Sequence, residues 1–464
     1  MRPSRRFDRW IHGKVIYPAV VRALGERELF PRLEELRRLE RLDQRELLRY
    51  QAERLADTLN YAAARSPHYA ETWGGLPRVE AAEAHAVLGS LPLVSKDELQ
   101  QRPERLIARG DVGRISRKIT GGSTGQPVTV VKDRHATARE RAAMWLGYGW
   151  RGVGIGDRAA RFWGAPLATG RRWLTRLSDL AMNRIRFSAF AFDEADLARY
   201  WRECVSFQPD YFHGYVSMLE AFARFVTERG YDGRRLRLKS IVATSEVLTP
   251  PQRRLIESAF AAPVQIEYGC GEVGPIAYEC ERGSLHLLAP DLVVEILRPD
   301  GTPVEPGEAG EIVLTDLNNR AMPLVRYRVG DFGTTGAPCG CGRAFPTLGA
   351  IWGRAYDFVE APDGRRYHGE FFMYAFEDLR RAGVPVQAFQ VTQEGPRALD
   401  VAVVIREDLG AEREAAIRRA LSGRLRGMDL RVRRVERIDR APSGKMQVIR
   451  NLWLRRELDR RVSA

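Results

Sequence analysis

Residues 120–127 read Thr-Gly-Gly-Ser-Thr-Gly-Gln-Pro and precede a β-type run, Val128-Thr129-Val130-Val131. The three glycines Gly121, Gly122 and Gly125 let the main chain turn through positive φ and bring N–H groups close to an anion. Thr120, Ser123 and Thr124 add hydroxyl donors with little bulk. This is the chemistry of a phosphate grip. It differs from a kinase-type P-loop, which needs Gly-x-x-x-x-Gly-Lys-Ser/Thr opening a helix. Plain surface turns use the same residue types, so this run gains its weight from segments further along the chain.

Four later segments set polar side chains on turns beside β-type runs, where ligands bind in α/β folds. Tyr268-Gly269-Cys270-Gly271-Glu272 puts a carboxylate just past a strand, and Arg326-Tyr327-Arg328-Val329-Gly330-Asp331 is read the same way. Gly353-Arg354 precedes a change of texture, and Pro442-Ser443-Gly444-Lys445 carries a lysine on a tight loop. Only six of the 74 cationic residues are lysine (14, 96, 118, 132, 239 and 445), so a Lys at 445 points to a need for a compact ammonium. Cys280, His286, Cys339 and Cys341 offer three soft ligands and one imidazole, a set that suits tetrahedral Zn²⁺.

Such turns need rigid elements to hold them. Across 30–64, leucines recur at three- and four-residue spacing among mixed charges, which predicts packing helices. Ser95-Lys96-Asp97-Glu98 has the form of a capping-box helix start. Further on, β-type runs (158–162, 238–243, 264–268) alternate with helical ones (217–228, 251–260), predicting an α/β body with largely parallel sheets. Beyond Gly271 the runs at 285–288, 292–297, 311–315 and 324–328 predict a β-rich subdomain without helices. After 353 the pattern resets to a helix (371–379), two strands (386–392, 399–405), a helix (412–425) and a strand (430–435). The expectation is a large α/β body over 1–352 and a small, mobile α+β domain over 353–464. At 464 residues the chain is too long for one core.

In this order and spacing, the segments resemble the core motifs of the adenylate-forming superfamily of acyl-CoA ligases, luciferases and nonribosomal adenylation domains, almost end to end. Within it the chain looks like phenylacetate–CoA ligases and CapK-type capsular-polysaccharide proteins. The stretches that carry this likeness are Tyr61-Ala62-Ala63-Ala64-Arg65-Ser66-Pro67-His68-Tyr69, Leu91-Pro92-Leu93-Val94-Ser95-Lys96, Glu279-Cys280 with Leu285-His286, and Thr315-Asp316-Leu317-Asn318-Asn319. The resemblance implies an AMP-forming ligase that joins a carboxylic acid to ATP's α-phosphorus, releases pyrophosphate and passes the acyl group to coenzyme A. An amine, a sugar or a carrier protein is the alternative acceptor, and a non-catalytic nucleotide scaffold the alternative role.

By the same resemblance, 120–125 would hold the β- and γ-phosphates, Glu272 Mg²⁺, and Lys445 the α-phosphate and carboxylate oxygens. Asp331, with Arg354, would bind the ribose. Glu246, Val247 and Leu248 would line the adenine with Tyr268 and Gly269 beside the nucleotide, and Phe162, Trp163, Phe212, His213 and Tyr215 the acyl pocket, favouring an apolar or aromatic acid. His213 is expected to be structural or gating, since a carboxylate at neutral pH has no proton to lose. Two departures stand out: Tyr356, followed by Asp357, where relatives carry a hinge Asp or Lys, and Gln126 where many carry Lys.

The net charge of +14 comes without a basic, aromatic-laced nucleic-acid module, so no nucleic-acid partner is expected. Residues 405–464 hold 17 basic and nine acidic side chains, hence +8, which suits an anionic partner such as CoA or an acidic carrier. Five cysteines make no disulfide framework, and no apolar run approaches the ~20 residues of a membrane span. A cytoplasmic protein is expected, with homodimerisation left open.

Overall fold

The computed structural model describes residues 5–120, 128–163, 178–189, 191–246, 248, 250–352, 358–363, 365–405, 408–423, 425–438 and 448–453. Its strands in chain order are β1 (Ile115–Thr120), β2 (Val128–Asp133), β3 (Ala159–Trp163), β4 (Arg184–Ser188), β5 (Ala191–Phe192), β6 (Tyr211–Tyr215), β7 (Ser240–Thr244), β8 (Val264–Cys270), β9 (Gly274–Glu279) and β10 (Leu285–Leu287). They continue with β11 (Leu292–Leu297), β12 (Gly310–Asp316), β13 (Tyr327–Thr335), β14 (Thr347–Trp352), β15 (Phe358–Glu360), β16 (Arg366–His368), β17 (Val386–Gln393), β18 (Ala398–Ile405), β19 (Asp429–Arg434) and β20 (Ile449–Asn451).

Eleven strands form one sheet in the order β11-β12-β13-β14-β10-β9-β8-β7-β6-β3-β4. From β4 to β8 neighbours run parallel, and from the β8–β9 pair outward every pair is antiparallel. Parallel neighbours need crossover connections, usually helical, and 271–352 contains no helix, so the β-rich segment joins the parallel half edge to edge.

Side-chain alternation splits the parallel half between two faces. On one, Phe162 packs against Phe187, Phe212 and Phe222 at ring-centroid distances of 5.2 Å, the last from the helix Val216–Glu228. On the other, Tyr211 and Tyr278 meet Tyr148 of the helix Arg134–Gly149. That helix lies very close, since a Cβ on Gly147 would come within 2.2 Å of the Tyr278 ring.

The run 324–328 is not a strand. Arg326 adopts φ 49°, its N–H donates to Thr315 Oγ1 at 3.0 Å, and β13 begins only at Tyr327. Asp331 therefore sits inside β13, not on a turn after a strand. The 315–319 motif clamps its neighbours: Asn319 Nδ2 donates to the Val131 carbonyl at 2.9 Å, and Asp133 Oδ2 accepts from the Arg320 N–H at 2.8 Å.

The C-terminal segment builds its own sheet, β19-β18-β17-β20, with helices Gly369–Arg381 and Gly410–Ser422. It meets the body where β5 adds to β15 and β16, through Arg366 opposite Phe192 and Tyr367 opposite Ala191. An Arg365–Asp193 ion pair at 3.1 Å flanks that seam.

Candidate active site

At the carboxyl ends of the parallel strands lies a cleft of about 1170 Å³. Its floor includes Trp163 of β3, His213 of β6 and Glu267 of β8, and one face of the helix Arg134–Gly149 adds Glu140, Met144 and Tyr148 at four-residue spacing. The turn between β8 and β9 forms one wall and carries Glu272, which is buried. Glycine is required there: a Cβ on Gly269 would fall 2.6 Å from the Gly274 carbonyl oxygen, and Gly274 has φ +93°.

Several sequence-predicted residues converge on this cleft. Glu246, Leu248, Tyr268, Gly269, Glu272, Asp331, Trp163 and His213 all line it. Tyr268 Oη donates to Asp331 Oδ2 at 3.1 Å, linking β8 to β13 across the intervening strands. Glu246 accepts from the Ser217 N–H at 2.5 Å and from Ser217 Oγ at 2.9 Å. Its carboxylate thus rests on the first turn of the helix Val216–Glu228, where exposed N–H groups favour an anion, and this fixes the loop after β7.

Phe162 and Phe212 do not reach the cleft. Each is the strand neighbour of a residue that does, so the pleat turns it to the helix-covered face, where both are fully buried. Tyr215 lies on the cleft side beneath Trp163, ring centroids 4.7 Å apart, and is itself covered. Thr120 pairs with Val128 at the end of the β1–β2 hairpin. Gly121, Gly122, Ser123, Thr124, Gly125, Val247, Arg354 and Lys445 lie outside the described residues.

Two lysines to which the motif reading gave no role in the site also line the cleft. Lys96 opens the helix Lys96–Gln101, capped by Ser95 and Glu98 as its sequence predicts. Arg326 fixes this segment by donating to the carbonyls of Leu91 (2.6 Å) and Gly89 (2.9 Å). Lys118 lies on β1 and lines the cleft. Lys132 is buried and paired with Glu140. The scarcity of lysine was the available signal: three of the six gather at or behind this cleft.

Deeper in the floor, burial would raise the Glu267 carboxyl, but His213 and the hydroxyls of Tyr278 and Tyr148 outweigh it and bring it down to about 2. Burial pushes His213 below its ordinary value, against the opposing effect of the Glu267 carboxylate beside it.

No family model matches the chain. Among curated proteins it is similar to CapK of Staphylococcus aureus, 24% identical over 307 residues, which is 64% of this chain and 65% of CapK. A phenylacetate-coenzyme A ligase of Thermus thermophilus is 31% identical over 159 residues (33% of this chain, 36% of that protein), and one of Pseudomonas putida 26% over 325 residues (68% and 72%). The alignment thus spans under two thirds of the first two relatives. A solved 2-hydroxyisobutyryl-CoA ligase, in complex with 2-HIB-AMP and CoA, shares the fold at a TM-score of 0.60 and 18% identity, covering 92% of this chain and 94% of that one. The chain is thus similar to adenylate-forming ligases in sequence over part of its length and in fold over nearly all of it.

A second cluster lies at the edge of the cleft. Cys280, His286, Cys339 and Cys341 bring their ligand atoms within 4.8 Å of one another. Cys280 Sγ and Cys339 Sγ are 3.7 Å apart, close to the roughly 3.8 Å edge of a tetrahedron with Zn–S bonds of ~2.3 Å. His286 Nδ1 faces the Phe345 carbonyl at 2.7 Å, which leaves Nε2 toward Cys341 Sγ at 3.2 Å. Burial acts against ionisation of both thiols facing each other here. Cys280 is pushed up to about 11, whereas hydrogen bonds with Ser284, His286 and Cys341 outweigh burial at Cys339 and bring it down to about 6. The donor set and its spacing fit a zinc ion.

Proposed function

We propose that the chain is an AMP-forming ligase. The convergence of Glu272, the Tyr268–Asp331 pair and the Glu246 loop on one cleft supports this reading best. A carboxylate oxygen of the acid attacks the α-phosphorus of ATP, the bond from that phosphorus to the bridging oxygen of pyrophosphate breaks, and the acyl group then passes to the sulfur of coenzyme A with release of AMP. Two anions must meet, so cations are needed.

Residues 120–125 grip the β- and γ-phosphates, and Lys445 contacts the α-phosphate and acid oxygens, with Lys96 and Lys118 adding positive charge. Asp331 accepts from the ribose hydroxyls, assisted by Arg354, and Glu246, Val247 and Leu248 line the adenine. Glu272 would hold Mg²⁺, which when bound neutralises phosphate charge. Residues 353–464 serve as the lid that delivers Lys445, and Cys280, His286, Cys339 and Cys341 hold a structural zinc. Similarity to CapK keeps an amine, sugar or carrier-protein acceptor as the second reading. The setting is the cytoplasm; no helix among the described residues is long and apolar enough to cross a membrane.

Carboxylate-dependent exchange of labelled pyrophosphate into ATP tests the first step. Lys445→Ala is expected to lower it about 10²–10³-fold. Undiminished exchange in that variant contradicts the assignment, and no exchange with any acid favours a nucleotide-binding scaffold. Adding coenzyme A or amines to a positive case identifies the acceptor.

A further inference from the structure

The floor of the cleft holds a cation that adenylation of a simple monoacid does not use. Arg161 lies on β3 two residues before Trp163 and therefore on the same face, one pleat repeat deeper. Across the parallel pairs its register neighbours are His213 on β6 and Arg186 on β4. The guanidinium stacks over the Trp163 ring at 4.2 Å, which occupies its face and leaves the N–H edge free to bond in plane.

Nothing among the described residues takes that edge. Arg161 Nε is buried without a hydrogen-bond partner, whereas His213 Nε2 beside it faces Glu267 Oε1 at 3.5 Å. The neighbouring Arg184 and Arg186 are both bound to Asp179, so that carboxylate is taken up by two guanidinium groups other than Arg161. Residues 164–177, which come directly after β3, contain three arginines and neither Asp nor Glu. Burial, and then repulsion by Arg184 and Arg186, lower Arg161 to about 10. A buried, unpaired donor next to like charges is costly to keep unless a ligand satisfies it.

We infer that Arg161 is the receptor for a second anionic group on the acid, so that the substrate carries a carboxylate, phosphonate or phosphate at the end remote from the carboxyl that is activated. This rests on the adenylation reading and corrects its expectation of a purely apolar or aromatic acid. Trp163 and Tyr148 flank the connecting segment of the substrate, and the deep anion meets the Arg161 edge. Glu267 remains with His213, Tyr148 and Tyr278, set apart from that edge by its own donors.

The test compares matched acids, adipate and 5-phosphonopentanoate against hexanoate, and 4-carboxyphenylacetate against 4-methylphenylacetate, in pyrophosphate exchange and in calorimetric binding. The wild-type protein is expected to favour the dianionic member of at least one pair by about tenfold to a hundredfold in kcat/KM and in affinity. Arg161→Gln should abolish or reverse that preference while still exchanging with the neutral acid, and Arg161→Lys should keep part of it. Without ligand, Arg161→Gln should melt no lower than wild type, because it removes an unpaired charge; a residue held for architecture would lose stability instead. Exchange with neutral acids at an unchanged preference in Arg161→Gln overturns this inference alone. Failure of every acid in both assays overturns the adenylation reading with it.

Discussion

Glu267 keeps its charge inside the cleft floor because two tyrosine hydroxyls and His213 surround it, and this sets an acid-sensitive point in the molecule. Its folded pKa, about 2, lies below the ordinary 4.5, so the folded state binds fewer protons than the unfolded chain between those values. The associated stability is complete above pH 4.5 and is lost as pH falls toward 2, at most about 3 kcal/mol. Denaturant titrations of wild type and Glu267→Gln should therefore differ most above pH 4.5 and converge on acidification. A difference that stays flat across that window would mean the carboxylate is not what the hydroxyls hold. At this scale the sequence exposed residue types well and directions poorly. Trp163 and His213 reach the cleft while Phe162 and Phe212 do not, because both faces of these strands are covered and no alternation of polar and apolar residues marks the sides.

Among elements, the Cys and His cluster ties β9 and β10 to the loop before β14. Gly336, Ala337 and Pro338 of that loop line the cleft, so the cluster braces one of its walls. Purified protein is expected to contain one zinc per chain by elemental analysis. A strong chelator, or Cys339→Ser, should lower the melting temperature by about 5 °C or more. Protein with no stoichiometric metal would refute the site. These four residues were legible from residue type and from short spacing within each pair, Cys280 with His286 and Cys339 with Cys341, whereas the strand pairing that brings the two pairs together left no such signal. The β8–β9 turn with Glu272 was likewise legible from its short spacing. Asp331 was recognised but misplaced, because the positive φ of Arg326 delays the start of β13 and no residue preference announces it.

For the whole molecule, the β5–β16 seam was not visible in the sequence, since a two-residue strand leaves no pattern. That seam holds the C-terminal unit through the buried Phe192 and the half-exposed Arg365–Asp193 pair. If residues 353–464 act as the lid, the ratio of pyrophosphate exchange to thioester formation reports its position. Arg365→Ala should change this ratio by no more than about fivefold, since such pairs contribute under ~1 kcal/mol. Phe192→Glu, which forces a charge into the seam, should change it more than about tenfold; equal effects would place the control elsewhere. The sheet itself changes character where β8 passes to β9, and this decides where the opening stands. A hairpin can stand bare at a strand end, while a crossover must roof it with a helix, so the opening is fixed by chain direction and not by loop length. Loops around the rim can then lengthen, shorten or change charge without displacing the opening.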